Sequence, residues 1–352
     1  MAIKFAINGF GRIGRQTLRA LIEKKANGEI SGDEIKIVAI NDLVDVKTLA
    51  HLLKFDSVYG TLDSKISTSE KNTQKNVVGE ITVGDITFGV CNEPDPSKLP
   101  WKQLGVDVVI ESTGHFTDYK SAQAHIRAGA KKVIISAPAK DETTNTYLIG
   151  VNSDKISGKD DVISNASCTT NCIAPVMDIL DRSFGIEKSL MTTVHAYTAD
   201  QSLVDGPHRD LRRARAAAIN ITPTTTGAAI AATKTLPQLK GKFDGLALRV
   251  PVPVGSIIDI VAVTKNEVTV AQINEAFTNA CQNPKWKGIL TCTNEPLVSS
   301  DIVGDSHSAI VDLSLTQVVQ GNLIKVIAWY DNEWGYSNRL IELIIQMGAH
   351  LK

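Results

Sequence analysis

The chain is short of cysteine and has no excess of charge of either sign. Its five cysteines, Cys91, Cys168, Cys172, Cys281 and Cys292, are odd in number and unevenly spread over 352 residues. That argues against a disulfide framework and suits a reducing compartment. Lysine plus arginine number 37 against 38 aspartate plus glutamate, a formal net charge of −1. This balance offers no electrostatic footprint for nucleic acid or an anionic membrane. No apolar run approaches the length of a membrane span. The first residues pass straight into a strand-like run, without the apolar leader of a secreted protein. Internal repeats, low-complexity tracts and Pro-rich linkers are absent as well. The expectation is a cytoplasmic protein with no membrane or nucleic-acid partner. Metal is not expected either: Cys168 and Cys172 have no second Cys/His pair at ligand spacing, and the seven histidines form no H-x-x-x-H motif.

What is present is a chain long enough for two domains, with 43% apolar residues to fill their cores. Ala2 to Ile7 reads as a buried parallel strand. It feeds Asn8-Gly9-Phe10-Gly11-Arg12-Ile13-Gly14-Arg15, which contains G-x-G-x-x-G. Leu18, Leu21 and Ile22 then recur at helical spacing. Gly28 to Asp33 is a loop, and Ile35 to Ile40 a second strand, ending in Asn41-Asp42. This strand, glycine turn, helix, strand and acid form the unit that binds a dinucleotide. Glycines permit the tight turn and the close approach of backbone to pyrophosphate, and the helix N-terminus holds the phosphates. Asp42 sits beyond the usual ~20 residues because of the intervening loop. Its carboxylate would accept from a ribose diol and repel a 2′-phosphate, so NAD is expected over NADP.

Residues 46–53 read as a helix, and 55–100 as a less regular region with short strands at Glu80–Val83 and Asp85–Val90. Strand-and-helix alternation then returns: strands at Val106–Glu111 and Lys132–Ser136, with a helix at Tyr119–Ala128 between them. Such alternation predicts a parallel, doubly wound sheet. Ser112 to Gly114 and Ser136 end strands on the ligand-binding side of such a sheet, although each is also an ordinary turn residue.

Asn165-Ala166-Ser167-Cys168-Thr169-Thr170-Asn171-Cys172 joins the strand-like Asp161–Ser164 to an apolar helical segment, Ile173–Leu180. Cys168 therefore sits at a helix start, where unpaired N–H groups and the helix dipole favour thiolate. The stretch alone is equally compatible with a packed thiol. Cys172, one turn along, reads as a core residue. The strand-like run Ser189–Thr198 carries His195, which is a base if Cys168 is a nucleophile and a structural residue otherwise. A long Arg-rich loop, roughly 199–220, includes Arg212, Arg213 and Arg215 and suits an anionic substrate or a neighbouring subunit. Thr222 to Gly227 opens a small-residue helix, Ala228–Thr235, whose hydroxyls are either a phosphate site or helix caps. Leu246–Val254 and Ser256–Thr264 read as paired antiparallel strands, with Arg249 on a sheet surface. Helices at Val268–Cys281 and Asn338–Met347 and strands at Ile310–Leu313 and Leu323–Tyr330 complete the chain. The second half is expected to be α+β on a mostly antiparallel sheet.

Together the motifs resemble the phosphorylating glyceraldehyde-3-phosphate dehydrogenase family along nearly the whole chain. The resemblance rests on Asn8 to Arg15, Ser136-Ala137-Pro138, Ser164 to Asn171, Val194-His195-Ala196-Tyr197-Thr198, Thr224 to Ala228, Arg249-Val250-Pro251, and Trp329 to Ser337. It implies a Rossmann-like NAD-binding domain over 1–167, joined by a C-terminal helix 333–352, and an α+β catalytic domain over 168–332. It also implies a homotetramer that oxidises glyceraldehyde 3-phosphate with NAD and inorganic phosphate to 1,3-bisphosphoglycerate. The Cys168 thiolate would form a thiohemiacetal and then a thioester, with His195 as base. By position, Gly9, Gly11, Arg12, Ile13, Gly14, Asp42, Ser136, Asn332 and Tyr336 match the cofactor site. Ser167, Thr169, Thr226 and Gly227 match the site for inorganic phosphate, and Thr198, Arg213 and Arg249 that for the substrate's phosphate. One departure is Glu93-Pro94-Asp95-Pro96, where many bacterial members carry an arginine in place of Pro94. The alternatives are erythrose-4-phosphate dehydrogenase, with the same chemistry but poor use of phosphate, and a catalytically silent RNA- or surface-binding protein on the same fold.

Overall fold

The computed structural model describes residues 2–31, 34–70 and 76–351. The expected loop over Gly28–Asp33 extends into residues 32 and 33, which lie outside the described residues. The chain divides into two compact units: Met1–Tyr147 with Lys155–Ala166 and Ser337–Lys352, and Leu148–Asp154 with Ser167–Tyr336.

In the first unit the strand Ile3–Asn8 lies between Ile35–Asn41 and Val108–Glu111, parallel to both. Lys132–Ile135, Val162–Ser164 and Asn145–Thr146 extend the sheet beyond Val108–Glu111, all in parallel. Beyond Ile35–Asn41 comes Ile86–Cys91, still parallel, then the antiparallel Gly79–Val83 and Ile66–Ser69. Every residue of Val108–Glu111 and Lys132–Ile135 is buried, as expected of strands covered on both faces. The chain leaves Ile3–Asn8 toward one neighbour and later returns on the other side. The C-terminal ends of these strands are therefore the switch point at which open α/β sheets bind ligands. The less regular region expected over 55–100 supplies the antiparallel edge.

Helix starts are written locally. Asp45 accepts from Thr48 N at the head of Val46–Lys54, and Asp118 from Ser121 N at the head of Tyr119–Arg127. In the second unit Thr269 and Gln272 form a capping box on Val270–Gln282. Each bond satisfies an N–H that the helix itself leaves open.

The second unit is a sheet in the order Thr222–Thr225, Phe243–Val250, Ile186–Ala196, Ser256–Thr264, Leu323–Tyr330, Ala309–Val319, Leu290–Thr293. Four of its pairings are antiparallel and two parallel. The α+β expectation holds, but one expected pairing does not. Phe243–Val250 and Ser256–Thr264 are not partners; Ile186–Ala196 lies between them, parallel to the first and antiparallel to the second. Pro251 and Pro253 each lack an amide donor, and the segment holding them carries the chain across a strand instead of closing a tight hairpin. The parallel register sets His195 directly opposite Arg249. The helix Cys168–Phe184 is buried from Thr169 to Leu180. The last helix, Trp334–Ala349, begins a turn earlier than its apolar pattern suggests.

Candidate active site

The dinucleotide-type cleft is built by the first unit alone. Asn8, Gly9, Gly11, Asn41, Asp42, Pro94, Ser112 and Thr113 are among the residues lining a cavity of about 440 Å³ at the ends of the central strands. Each glycine meets a different constraint. Gly9 has φ +92°, and a Cβ there would lie 2.7 Å from Thr113 N. A Cβ on Gly14 would lie 2.4 Å from the carbonyl oxygen of Gly9, so this glycine lets the helix approach the strand. A Cβ on Gly11 would meet nothing within 4 Å. The space above Gly11 is therefore open to a ligand, as a pyrophosphate at a helix start requires. Asp42 Oδ2 accepts from Phe10 N at 2.8 Å, which ties the acid to the glycine turn.

Three of the other cofactor candidates belong to the same unit. Arg12 directs its guanidinium to Asp56 at 2.6 Å and over the ring of Tyr59. Ile13 belongs to the first turn of the helix Arg12–Ala26, and Ser136 N donates to Glu111 O at 2.9 Å.

Below the cleft runs a buried polar chain with no local sequence signature. Trp101 Nε1 donates to His125 Nδ1 at 3.0 Å, so His125 carries its proton on Nε2 and gives it to Glu111 Oε2 at 3.0 Å. Glu111 also accepts from Asn8 Nδ2 at 2.6 Å, and Asn8 Oδ1 from Asn41 at 2.7 Å. This network fixes the two asparagines that floor the cleft.

The second unit holds the cysteine. Ser167 caps the helix Cys168–Phe184, its Oγ accepting from Thr170 N at 3.1 Å. The residue before the cap, Ala166, has φ +53°, a left-handed conformation that turns the chain sharply into the helix. Cys168 thus becomes the first helical residue and remains partly exposed, whereas Cys172 is fully buried. Cys168 Sγ lies 3.4 Å from His195 Nε2. The other ring nitrogen, Nδ1, is 2.6 Å from the carbonyl oxygen of Ala196. A carbonyl can only accept, so Nδ1 carries the proton and Nε2 is left as an acceptor facing the sulfur.

The resting charge state differs from the helix-start expectation. Burial pushes the Cys168 thiol up to about 11, against the opposing pull of hydrogen bonds from Thr169 and the charge of Arg249. Burial likewise pushes His195 down to about 4. Desolvation outweighs the helix terminus here, and the pair rests as neutral thiol and neutral imidazole.

Tyr330 backs this pair. Its hydroxyl lies 2.9 Å from Thr169 Oγ1 and 2.8 Å from Thr193 Oγ1, and its ring meets that of His195 edge-on at 5.9 Å. Nothing in its local sequence marks it, because an aromatic that ends a strand reads as core.

Arg249 Nη1 donates to Thr198 Oγ1 and lies 3.4 Å from Gln201 Oε1, while its Nε has no partner among the described residues. Arg213 is held by Asp200, by Thr224 Oγ1 at 2.9 Å and by Asp210 at 3.5 Å. Two arginines thus share one region, and one of them lacks a carboxylate partner among the described residues. That arrangement suits an incoming anion. Thr226 Oγ1 accepts from Ala228 N at 3.2 Å, and Gly227 is the N-cap of Ala228–Thr235. Asn332 Oδ1 accepts from Gly255 N at 3.2 Å and Ser256 Oγ at 2.8 Å, which points its amide NH₂ away from them. Tyr336 is buried in the last helix. Among the described residues no cluster of three or more His, Cys, Asp and Glu could hold a metal, and no helix is long and apolar enough to cross a membrane.

A family model for the NAD binding domain of glyceraldehyde 3-phosphate dehydrogenase matches residues 3–119, and one for its C-terminal domain matches residues 167–332. The chain belongs to the glyceraldehyde 3-phosphate dehydrogenase family. Curated members of that family named glyceraldehyde-3-phosphate dehydrogenase are 54% identical in Streptomyces coelicolor and in Mycolicibacterium smegmatis, each over 352 residues and the whole of both chains. A member from Mycobacterium tuberculosis is 52% identical over 351 residues, again covering both chains. The family's cofactor model spans the glycine turn and Asp42, and its C-terminal model begins one residue before Cys168.

Proposed function

We propose that this chain oxidises glyceraldehyde 3-phosphate with NAD and inorganic phosphate to 1,3-bisphosphoglycerate, in the cytoplasm and in the glycolytic direction or its reverse. The observation that carries the reading is the Cys168–His195 contact, with Nδ1 anchored so that Nε2 can take the thiol proton. In this reading the first unit binds the cofactor and the second carries the chemistry. When bound, NAD accepts the hydride.

His195 Nε2 takes the proton from Cys168 Sγ as sulfur attacks the aldehyde carbon, and the Ala196 carbonyl supports the charge that develops on the ring. His195 returns that proton to the former aldehyde oxygen, which completes the thiohemiacetal, and takes it back as the thiohemiacetal is oxidised to a thioester. Phosphate then cleaves the thioester, and His195 gives the proton to the departing sulfur, restoring the thiol. A thioester preserves the oxidation energy for phosphate to capture. Arg249, Thr198 and Arg213 hold the substrate's phosphate; Ser167, Thr169, Thr226 and Gly227 serve the inorganic one. Ser167 and Thr226 would do so with hydroxyls that already hold backbone N–H groups. The orientation of Asn332 supports its assigned role as donor to the nicotinamide carboxamide, with Tyr336 nearby.

A homotetramer is proposed with it. It is supported by Leu190 and Val261, which are exposed and face each other across paired strands, with Ile230 and Leu246 also exposed.

The test is NADH formation from glyceraldehyde 3-phosphate and, separately, erythrose 4-phosphate, each with and without inorganic phosphate. Turnover of glyceraldehyde 3-phosphate that requires phosphate supports the reading. Phosphate-independent turnover, or a preference for the erythrose substrate, rejects it.

A further inference from the structure

The proposed chemistry uses one cysteine, and two others are inert: burial pushes Cys91 up to about 12 and Cys172 well above the ordinary range. Cys281 and Cys292 are different. Cys281 lies in the last turn of the helix Val270–Gln282, and Cys292 lies in Leu290–Thr293, an edge strand paired with Ala309–Val319. Their sulfur atoms are in direct contact, 2.6 Å apart, and both residues are partly exposed. We propose that Cys281 and Cys292 are a modification site, a dithiol that hydroperoxides convert reversibly to a disulfide.

The argument is geometric first. The two sulfurs come from different elements yet already touch, so bond formation needs no large backbone movement. Their partial exposure admits a small oxidant. A thiolate formed on either sulfur can be held by the thiol hydrogen of the other, so one attacks and its neighbour resolves.

One sulfur, as thiolate, attacks a peroxide oxygen, so an S–O bond forms, the O–O bond breaks, and hydroxide leaves. The other sulfur then attacks the sulfenic sulfur. The S–S bond forms, the S–O bond breaks, and the second thiol's proton leaves with hydroxide as water. Two thiols give up two electrons and two protons, and hydrogen peroxide becomes two waters. An external thiol reverses the bond by exchange. The scattered cysteine pattern argues against a structural framework of disulfides, and a single reversible pair is compatible with that.

The experiment treats the full-length chain, wild type and Cys168→Ser, with hydrogen peroxide. Remaining thiols are then alkylated and the protein is digested with trypsin without reduction. Lys285 and Lys287 lie between the two cysteines, so the bonded pair appears as two joined peptides. The expected result is that joined species in both proteins, released by dithiothreitol and lost in Cys281→Ser and Cys292→Ser. Cys281→Ser should retain wild-type dehydrogenase activity. Recovery of the two as separate alkylated or sulfinic peptides, or their joining to other cysteines, overturns the proposal.

Discussion

His195 Nδ1 donates to the carbonyl oxygen of Ala196 at 2.6 Å, and that one bond decides which ring nitrogen faces Cys168. With Nδ1 committed, Nε2 is an acceptor 3.4 Å from the sulfur. The pair is set for proton transfer and rests neutral, with the thiol pushed up to about 11 and the imidazole down to about 4.

That state has a pH signature. A thiol whose proton affinity is raised yields thiolate only as pH rises. In protein free of cofactor and substrate, alkylation of Cys168 by iodoacetamide should accelerate from about pH 6 to about pH 10, nearly tenfold per unit. His195→Gln should slow it at neutral pH. A rate that is flat from about pH 6 upward would mean a standing thiolate–imidazolium pair, contrary to the neutral assignment.

Gly11 and Gly14 should fail in different ways. Alanine at Gly14 places a methyl group against the Gly9 carbonyl, and the fold should lose about 1–3 kcal/mol. Alanine at Gly11 meets only open space, so the melting temperature should hold while NAD affinity falls at least about tenfold. Thermal denaturation together with calorimetric NAD titration separates the two. Equal loss of stability in both variants would contradict the division of labour.

Arg249 lacks a carboxylate partner among the described residues and is largely desolvated, which lowers its proton affinity. Arg249→Ala should raise KM for glyceraldehyde 3-phosphate by about tenfold or more, as expected for loss of charge-assisted bonds. KM for unphosphorylated glyceraldehyde should change little. The melting temperature should stay level or rise, since a poorly compensated charge is removed. A similar KM increase for both substrates would place Arg249 outside the phosphate site.

Tyr330 supports the pair from behind. Tyr330→Phe removes the hydroxyl between Thr169 and Thr193 and should cost about 1–3 kcal/mol by chemical denaturation. Its kcat should fall severalfold with KM for the aldehyde unchanged, because the ring that meets His195 loses the hydroxyl contacts that hold it in place. An unaltered kcat would confine this tyrosine to the fold.

Much of this molecule is legible without coordinates. The strand, glycine turn, helix and acid at the N-terminus are local features, and Gly9 and Gly14 have the turn and packing roles that their spacing suggests. Arg12 shows where such reading ends: no local pattern announces that Asp56, 44 residues away, holds its guanidinium. The expected pairing of Leu246–Val254 with Ser256–Thr264 fails for a related reason. Adjacent strands read as a hairpin, and no local pattern announces that Ile186–Ala196 will insert between them.

Element types, the glycine turn and the place of Cys168 at a helix start can be read locally. These follow from hydrophobic period, glycine freedom and capping, which act over a few residues. Tertiary structure alone decided that His195 stands opposite Arg249, that Tyr330 backs the pair and that Cys281 touches Cys292. It also opposes the local pull of the helix start on Cys168, since burial by distant residues pushes the thiol up. Strand order and desolvation depend on residues far apart in the chain, and no local pattern encodes them.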